Sequence, residues 1–99
     1  MHIDVRVATS GLDEQTRAYA EFRMFSALAR LEPEIDAVTV VLTRASISPG
    51  SIDCAVSVTF ADGGRLRVRA RGSHAYDAIN RAVQRVSHLV PEHPAAVSS

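Results

Sequence analysis

Residues 64–90 read GRLRVRARGSHAYDAINRAVQRVSHLV, and the architecture of the chain follows from this stretch. Leu66, Val68 and Ala70 alternate with Arg65, Arg67, Arg69 and Arg71. Successive side chains of a strand point to opposite faces, so the spacing predicts a strand with one apolar face and one row of guanidinium groups. Gly72-Ser73 then turns the chain, with Ser73 as the expected N-cap and Asp77 in the first helical turn. Ala75, Ile79, Ala82, Val83, Val86 and Val90 recur at helical spacing and form a buried stripe. Arg81 and Arg85 lie away from it, and Pro91 ends the helix.

Outward from this stretch the other elements fall into place. Asp62-Gly63-Gly64 is a hairpin signal that makes the arginine strand the antiparallel neighbour of the segment before it. That segment, Ile52 to Phe60, alternates cleanly, with Ile52, Cys54, Val56, Val58 and Phe60 inward. Ile35 to Arg44 is a further strand, and Pro49-Gly50 marks a loop over Ala45 to Ser51. Ile3, Val5 and Val7 alternate with Asp4 and Arg6 over His2 to Ala8, giving a first strand. Ser10 is placed to cap a helix from about Leu12 to Leu31, which Pro33 stops. The helix shows two apolar stripes: Ala18, Phe22, Phe25 and Ala29, and Ala20, Met24, Ala27 and Leu31. Arg23 and Arg30 share its polar face with Thr16 and Ser26. So wide an apolar surface points either to deep burial or to a second copy of the chain, a homodimer through this first helix.

The order is β-α-β-β-β-α. It predicts an α+β two-layer sandwich, a four-stranded sheet with both helices packed on one face. The chain of 99 residues is one domain, placed at 1–90, with 91–99 as a tail lacking periodicity. If both helices cover the inner face, the strand arginines lie opposite Arg81 and Arg85. Only an edge position, or RNA wrapping around that edge, would join the two groups.

Composition narrows the function classes. Lys and Arg together number 11, all of them Arg, against 11 Asp plus Glu. The formal net charge is zero, where a nucleic-acid binder is ordinarily basic. Phosphate binding is nevertheless a local effect, and six of the arginines lie in residues 64–90. No segment has the length of a membrane span, no signal-peptide pattern opens the chain, and the single Cys54 cannot form an internal disulfide; the expected location is cytoplasmic. His2, His74, His88 and His93 show no metal-ligand spacing with Cys54. There is no nucleophile motif or phosphate-cradling glycine loop, so neither an enzyme nor a cofactor is expected.

Tyr76-Asp77-Ala78-Ile79-Asn80-Arg81-Ala82 resembles the Tyr-Ala-Ala-Ile-Asp-x-Ala stretch opening the last helix of the ribosome hibernation promoting factor family. These proteins are also called ribosome-associated inhibitors or sigma-54 modulation proteins. Arg85 falls where that family has Lys. Ile3-Asp4-Val5-Arg6, Tyr19-Ala20-Glu21-Phe22-Arg23 and Ile35-Asp36-Ala37-Val38-Thr39-Val40 are similar too, so the resemblance spans nearly the whole chain, in a short form without a second domain. It departs from the family in lacking Lys and in carrying Asn80. The resemblance implies a non-enzymatic factor that binds ribosomal RNA of the small subunit in the channel used by messenger and transfer RNA. The residues it would use are Arg65, Arg67, Arg69, Arg71, Arg81 and Arg85, with Arg23 and Arg30 as a second group.

Two readings of the arginine row stay open at this point. In one, four guanidiniums spread over about 20 Å contact successive phosphates. In the other, the row is a solvated sheet face whose charges meet Asp4 or Asp53 across strands. The alternative function is a diverged protein-interaction or self-associating module without ribosome binding.

Overall fold

Four strands form one sheet in the order β1-β2-β3-β4, seen in a computed structural model that describes residues 1–8, 13–44 and 50–93. The strands are β1 (His2–Val7), β2 (Ile35–Arg44), β3 (Ile52–Phe60) and β4 (Arg65–Gly72). Helix α1 (Glu14–Leu28) connects β1 to β2, which run parallel; β2, β3 and β4 form an antiparallel meander. A second helix, α2 (Ala75–Leu89), follows β4. The predicted β-α-β-β-β-α order and the α+β class are those observed.

The inward alternation of all four strands converges on one core. Val5, Val38, Val40, Leu42, Cys54, Val56, Val58 and Phe60 are each buried, and Ala20, Met24, Leu28, Ala78, Ile79, Ala82 and Val86 cover them from the helices. α1 packs beside β1, and α2 lies over β3 and β4. Burial raises Cys54 to a pKa of about 12, because a thiolate loses its hydration there. A disulfide reagent at about pH 8 should therefore leave native protein unlabelled and label it fully in denaturant. Native-state labelling at the unfolded rate would contradict this burial.

The ends of the helices differ from the sequence reading. Ser10 lies outside the described residues, and the N-cap of α1 is Asp13, whose Oδ1 accepts from both the Thr16 amide and the Thr16 hydroxyl at 3.0 Å. Thr16 is consequently buried rather than on the polar face assigned to it. Its polar atom is satisfied locally, so the side chain enters the core interface at little cost. α-Helical geometry stops at Leu28, and a 3-10 turn over Ala29–Glu34 carries the chain through Pro33. Leu28, absent from both expected stripes, is fully buried. Of those stripes, Ala20, Met24, Ala27 and Leu31 face the core, whereas Ala18, Phe22 and Phe25 are exposed.

The cap of α2 is His74 rather than Ser73: the Asp77 amide donates to its Nδ1 at 3.3 Å. Ser73 contributes from one residue earlier, its amide donating to Asp77 Oδ2 at 2.9 Å. Beyond Leu89 a second 3-10 turn, Val90–Glu92, brings the ring of His93 onto Phe60, with centroids 3.8 Å apart.

An arginine from the overlying helix covers each outer strand. Arg17 of α1 donates to the Val5 carbonyl of β1, and Arg85 of α2 donates to the Arg69 carbonyl of β4 at 2.9 Å.

Candidate nucleic-acid interface

β4 is an edge strand, and this position resolves how the two arginine groups relate. Its alternation sends Arg65, Arg67, Arg69 and Arg71 to the face away from the helices, all exposed. They sit at the margin of a lawn of small side chains: Arg65 is paired in register with Thr59, Arg67 with Ser57, Arg69 with Ala55 and Arg71 with Asp53. A shallow pocket between Arg67 and Arg69 has Ala55 and Ser57 on its floor.

The helix arginines reach the same edge from the other layer. Arg71, Arg81 and Arg85 line one concavity with Ala70 and Gln84. The strand row and the helix pair therefore meet around the edge of β4, although they lie on different faces of the sheet. Gly72 makes this approach close. A Cβ there would stand 2.3 Å from the Ala78 nitrogen, so only glycine lets the end of β4 lie directly under the first turn of α2.

The arginines are not equally available. Arg71 Nε donates to Asp53 Oδ1 at 2.8 Å, which fulfils one of the two carboxylate pairings considered for the row and raises the guanidinium pKa. Asp4, the other candidate, pairs with Arg6 instead at 2.8 Å. Arg81 Nε reaches Asp77 Oδ1 at 3.1 Å, one helical turn back. Arg65, Arg67 and Arg69 have no carboxylate partner among the described residues, so these three exposed members of the row keep their charge unmatched.

Asp77 is held below the ordinary carboxylate range, first by the Ser73 amide and then by Arg81. A carboxylate lowered on folding adds stability above its unfolded value, and that contribution is lost as pH falls through the lowered folded value. Thermal melts taken from about pH 5 downward should thus show Asp77→Asn losing less stability below about pH 4 than the parent chain. Parallel curves would show that the carboxylate contributes nothing through its ionisation.

Arg23 and Arg30 do not join the β4 edge. Arg30 lies exposed in the 3-10 turn after α1. Arg23 is half-buried and its Nε donates to Asn80 Oδ1 at 3.2 Å. The same oxygen accepts from the Tyr19 hydroxyl at 2.7 Å. The Tyr76 ring meets the Tyr19 ring edge-on, with centroids 4.6 Å apart. This Tyr19–Arg23–Tyr76–Asn80 cluster clamps the two helices together, and the sequence reading does not assemble it. Its signal is the spacing of four within Tyr19/Arg23 and within Tyr76/Asn80, which puts each pair on one helix face.

The fold also separates charge. β1 and α1 are each neutral, with Asp4 against Arg6 and with Glu14 and Glu21 against Arg17 and Arg23. Residues 37–99, which supply β4 and α2, hold four carboxylates and seven arginines, a balance of +3. β1 and β4 are the opposite edges of the sheet, so a chain of zero net charge has a neutral edge and a basic edge.

An open mixed sheet, two helices on one face and a basic edge where strand and helix arginines meet define the class: a small α+β domain with its positive charge gathered along one edge. Among solved structures the chain is similar to the Protein Y N-terminal domain of Thermus thermophilus, with a TM-score of 0.75 and 25% identity over 93% of this chain and 98% of that one. It is also similar to a ribosomal subunit interface protein from Coxiella burnetii, with a TM-score of 0.74 and 15% identity over 93% and 96% of the two chains. The fold thus bears out the resemblance to the ribosome hibernation promoting factor family over nearly the full chain. No family model and no curated protein matches the sequence.

Proposed function

We propose that this chain is a non-enzymatic, cytoplasmic factor that associates with the ribosome by holding RNA of the small subunit along its β4–α2 edge. The observation carrying this reading is the set of three unmatched arginines, Arg65, Arg67 and Arg69, continuous around that edge with Arg71, Arg81 and Arg85. Guanidinium groups suit phosphate because they donate two parallel hydrogen bonds. Seating the domain where messenger and transfer RNA run would then block both, with no chemical step. Arg23 and Arg30 form a separate, weaker contact group on the helix side. The similarity to a Protein Y domain and to a ribosomal subunit interface protein supports the choice of ribosomal RNA over other polyanions.

Co-sedimentation with purified small subunits across a salt series tests the reading. Binding should fall linearly on a log–log plot as salt rises, and excess transfer RNA with messenger should displace the protein. Absence of binding even at low salt would sink the proposal; binding undisturbed by transfer and messenger RNA would remove the occlusion step.

A further inference from the structure

We infer, resting on the RNA reading proposed above, that the β4 edge takes RNA as an extended single strand rather than a duplex. The strand would lie on the open face of the sheet, with one nucleotide to every second residue of β4. Both helices cover the inner face, and no described element lies over the other. There the outward side chains of the two central strands are half-exposed and small: Ala37, Thr39 and Val41 on β2 pair in register with Thr59, Ser57 and Ala55 on β3. The next residues across, on β4, are Arg65, Arg67 and Arg69. A low floor thus ends against a wall of three long side chains. The shallow pocket between Arg67 and Arg69, about 240 Å³ with Ala55 and Ser57 beneath it, lies at the foot of that wall.

The spacing sets the form of the ligand. Alternate residues of a strand lie about 6.7 Å apart, close to the step between successive phosphates of an extended polynucleotide. Three guanidiniums in a straight row each meet one phosphate only if the backbone also runs straight. An A-form duplex curves its phosphates around a helix and turns its bases inward, so it touches the row at fewer points and leaves the floor empty. A single strand keeps its phosphates on the wall and lays its sugars across the floor. Ser57 and Thr59 offer hydroxyls there, and Ala55 and Val41 offer apolar contact. None of these floor residues is aromatic, so the strand is held by its backbone rather than by stacking, and its sequence matters little.

Charge is unmatched where the strand would lie. The carboxylates of this face, Asp4 and Asp53, are paired with Arg6 and Arg71 at 2.8 Å. Asp36 stands at the bulge that opens β2, two strands from the row. Arg65, Arg67 and Arg69 therefore border an uncharged floor with no carboxylate partner among the described residues. The Arg71–Asp53 pair closes the row at one end and the Asp62-Gly63-Gly64 turn closes it at the other, which sets one phosphate for each unmatched arginine.

The probe is a labelled, unstructured octauridylate, compared with an octamer RNA duplex by anisotropy on the full chain at low salt. The duplex carries about twice the charge, so attraction by charge alone would favour it. The expected result is the reverse: the single strand binds at least about fivefold tighter, with a log–log salt slope near −2, at ~0.7 for each phosphate. Its amide shifts should centre on Ala55, Ser57 and Thr59 of the parent chain. Ser57→Ile fills the pocket between Arg67 and Arg69 and should weaken single-strand binding at least about fivefold. Ile suits a strand, and an unchanged melting curve will show that the variant folds. Equal or tighter binding of the duplex, shifts that avoid β3, binding unaffected by Ser57→Ile, or no binding of the single strand would each overturn the inference. Small-subunit co-sedimentation reports separately on the underlying RNA reading: subunits bound without the single strand overturn this inference alone, and loss of both overturns both.

Discussion

Gly72→Ala is expected to destabilise the domain by about 2–4 kcal/mol and to lower its melting temperature by roughly 10–25 °C, despite adding a single methyl group. The added carbon would lie 2.3 Å from the Ala78 nitrogen and 2.8 Å from the Ala78 Cα. Both are backbone atoms in the first turn of α2, so no rotamer change relieves the overlap and the helix must move off the strand. Gly63→Ala is the control. Gly63 has a positive φ of 91° but nothing within 4 Å of an added Cβ, so its cost is the left-handed conformation alone, about 1–2 kcal/mol. Chemical denaturation of both variants decides the matter, and similar midpoints would show that the β4–α2 approach tolerates separation. The substitution also separates Arg71 from Arg81 and Arg85, so RNA binding at the edge should weaken in whatever fraction remains folded.

The second large effect is electrostatic. Replacing Arg65, Arg67 and Arg69 together by Ala should reduce the magnitude of the salt slope of small-subunit binding by about 2–3, at roughly 0.7–0.9 for each phosphate that the protein no longer neutralises. Binding at moderate salt should fall to background. The same side chains are exposed and have no carboxylate partner among the described residues, so stability should change little. Arg71→Ala is the informative comparison, because Asp53 already holds that guanidinium at 2.8 Å. Its removal should cost less binding than removal of any of the other three. An unaltered slope in the triple variant would move the RNA contact away from the strand, toward Arg81 and Arg85 or the Arg23 side.

Much of this fold was legible because its strands are half-buried and its turns carry glycine. The bounds of Ile35–Arg44 and Ile52–Phe60 follow from alternation alone, since period-2 patterning has one solution when one face is apolar. Helix termini were less legible. Asp13 and His74 cap where Ser10 and Ser73 were expected, because several polar residues compete near each start and tertiary contacts choose among them. Thr16 and Leu28 were misplaced for a related reason: with apolar residues around most of α1, periodicity does not say which stripe meets the sheet. For the candidate site, the eight arginines could be named from sequence, but their division could not. That depended on β4 being an edge strand, on carboxylates from β3 and α2, and on Asn80 drawing Arg23 toward the helix pair.

The two guanidiniums that lie over Val5 and Arg69 have a consequence for how this molecule lives in a crowded solution. An open sheet ends in two ladders of unspent backbone groups, the usual starting point for strand-to-strand polymerisation and fibrils. Here a long cationic side chain interrupts each ladder partway along its strand. A strand from a neighbouring molecule cannot run in register past it without displacing the arginine and bringing two positive groups together. A small protein with no net charge, which has little colloidal repulsion to keep it dispersed, thereby blocks the fibril route at both ends of its sheet.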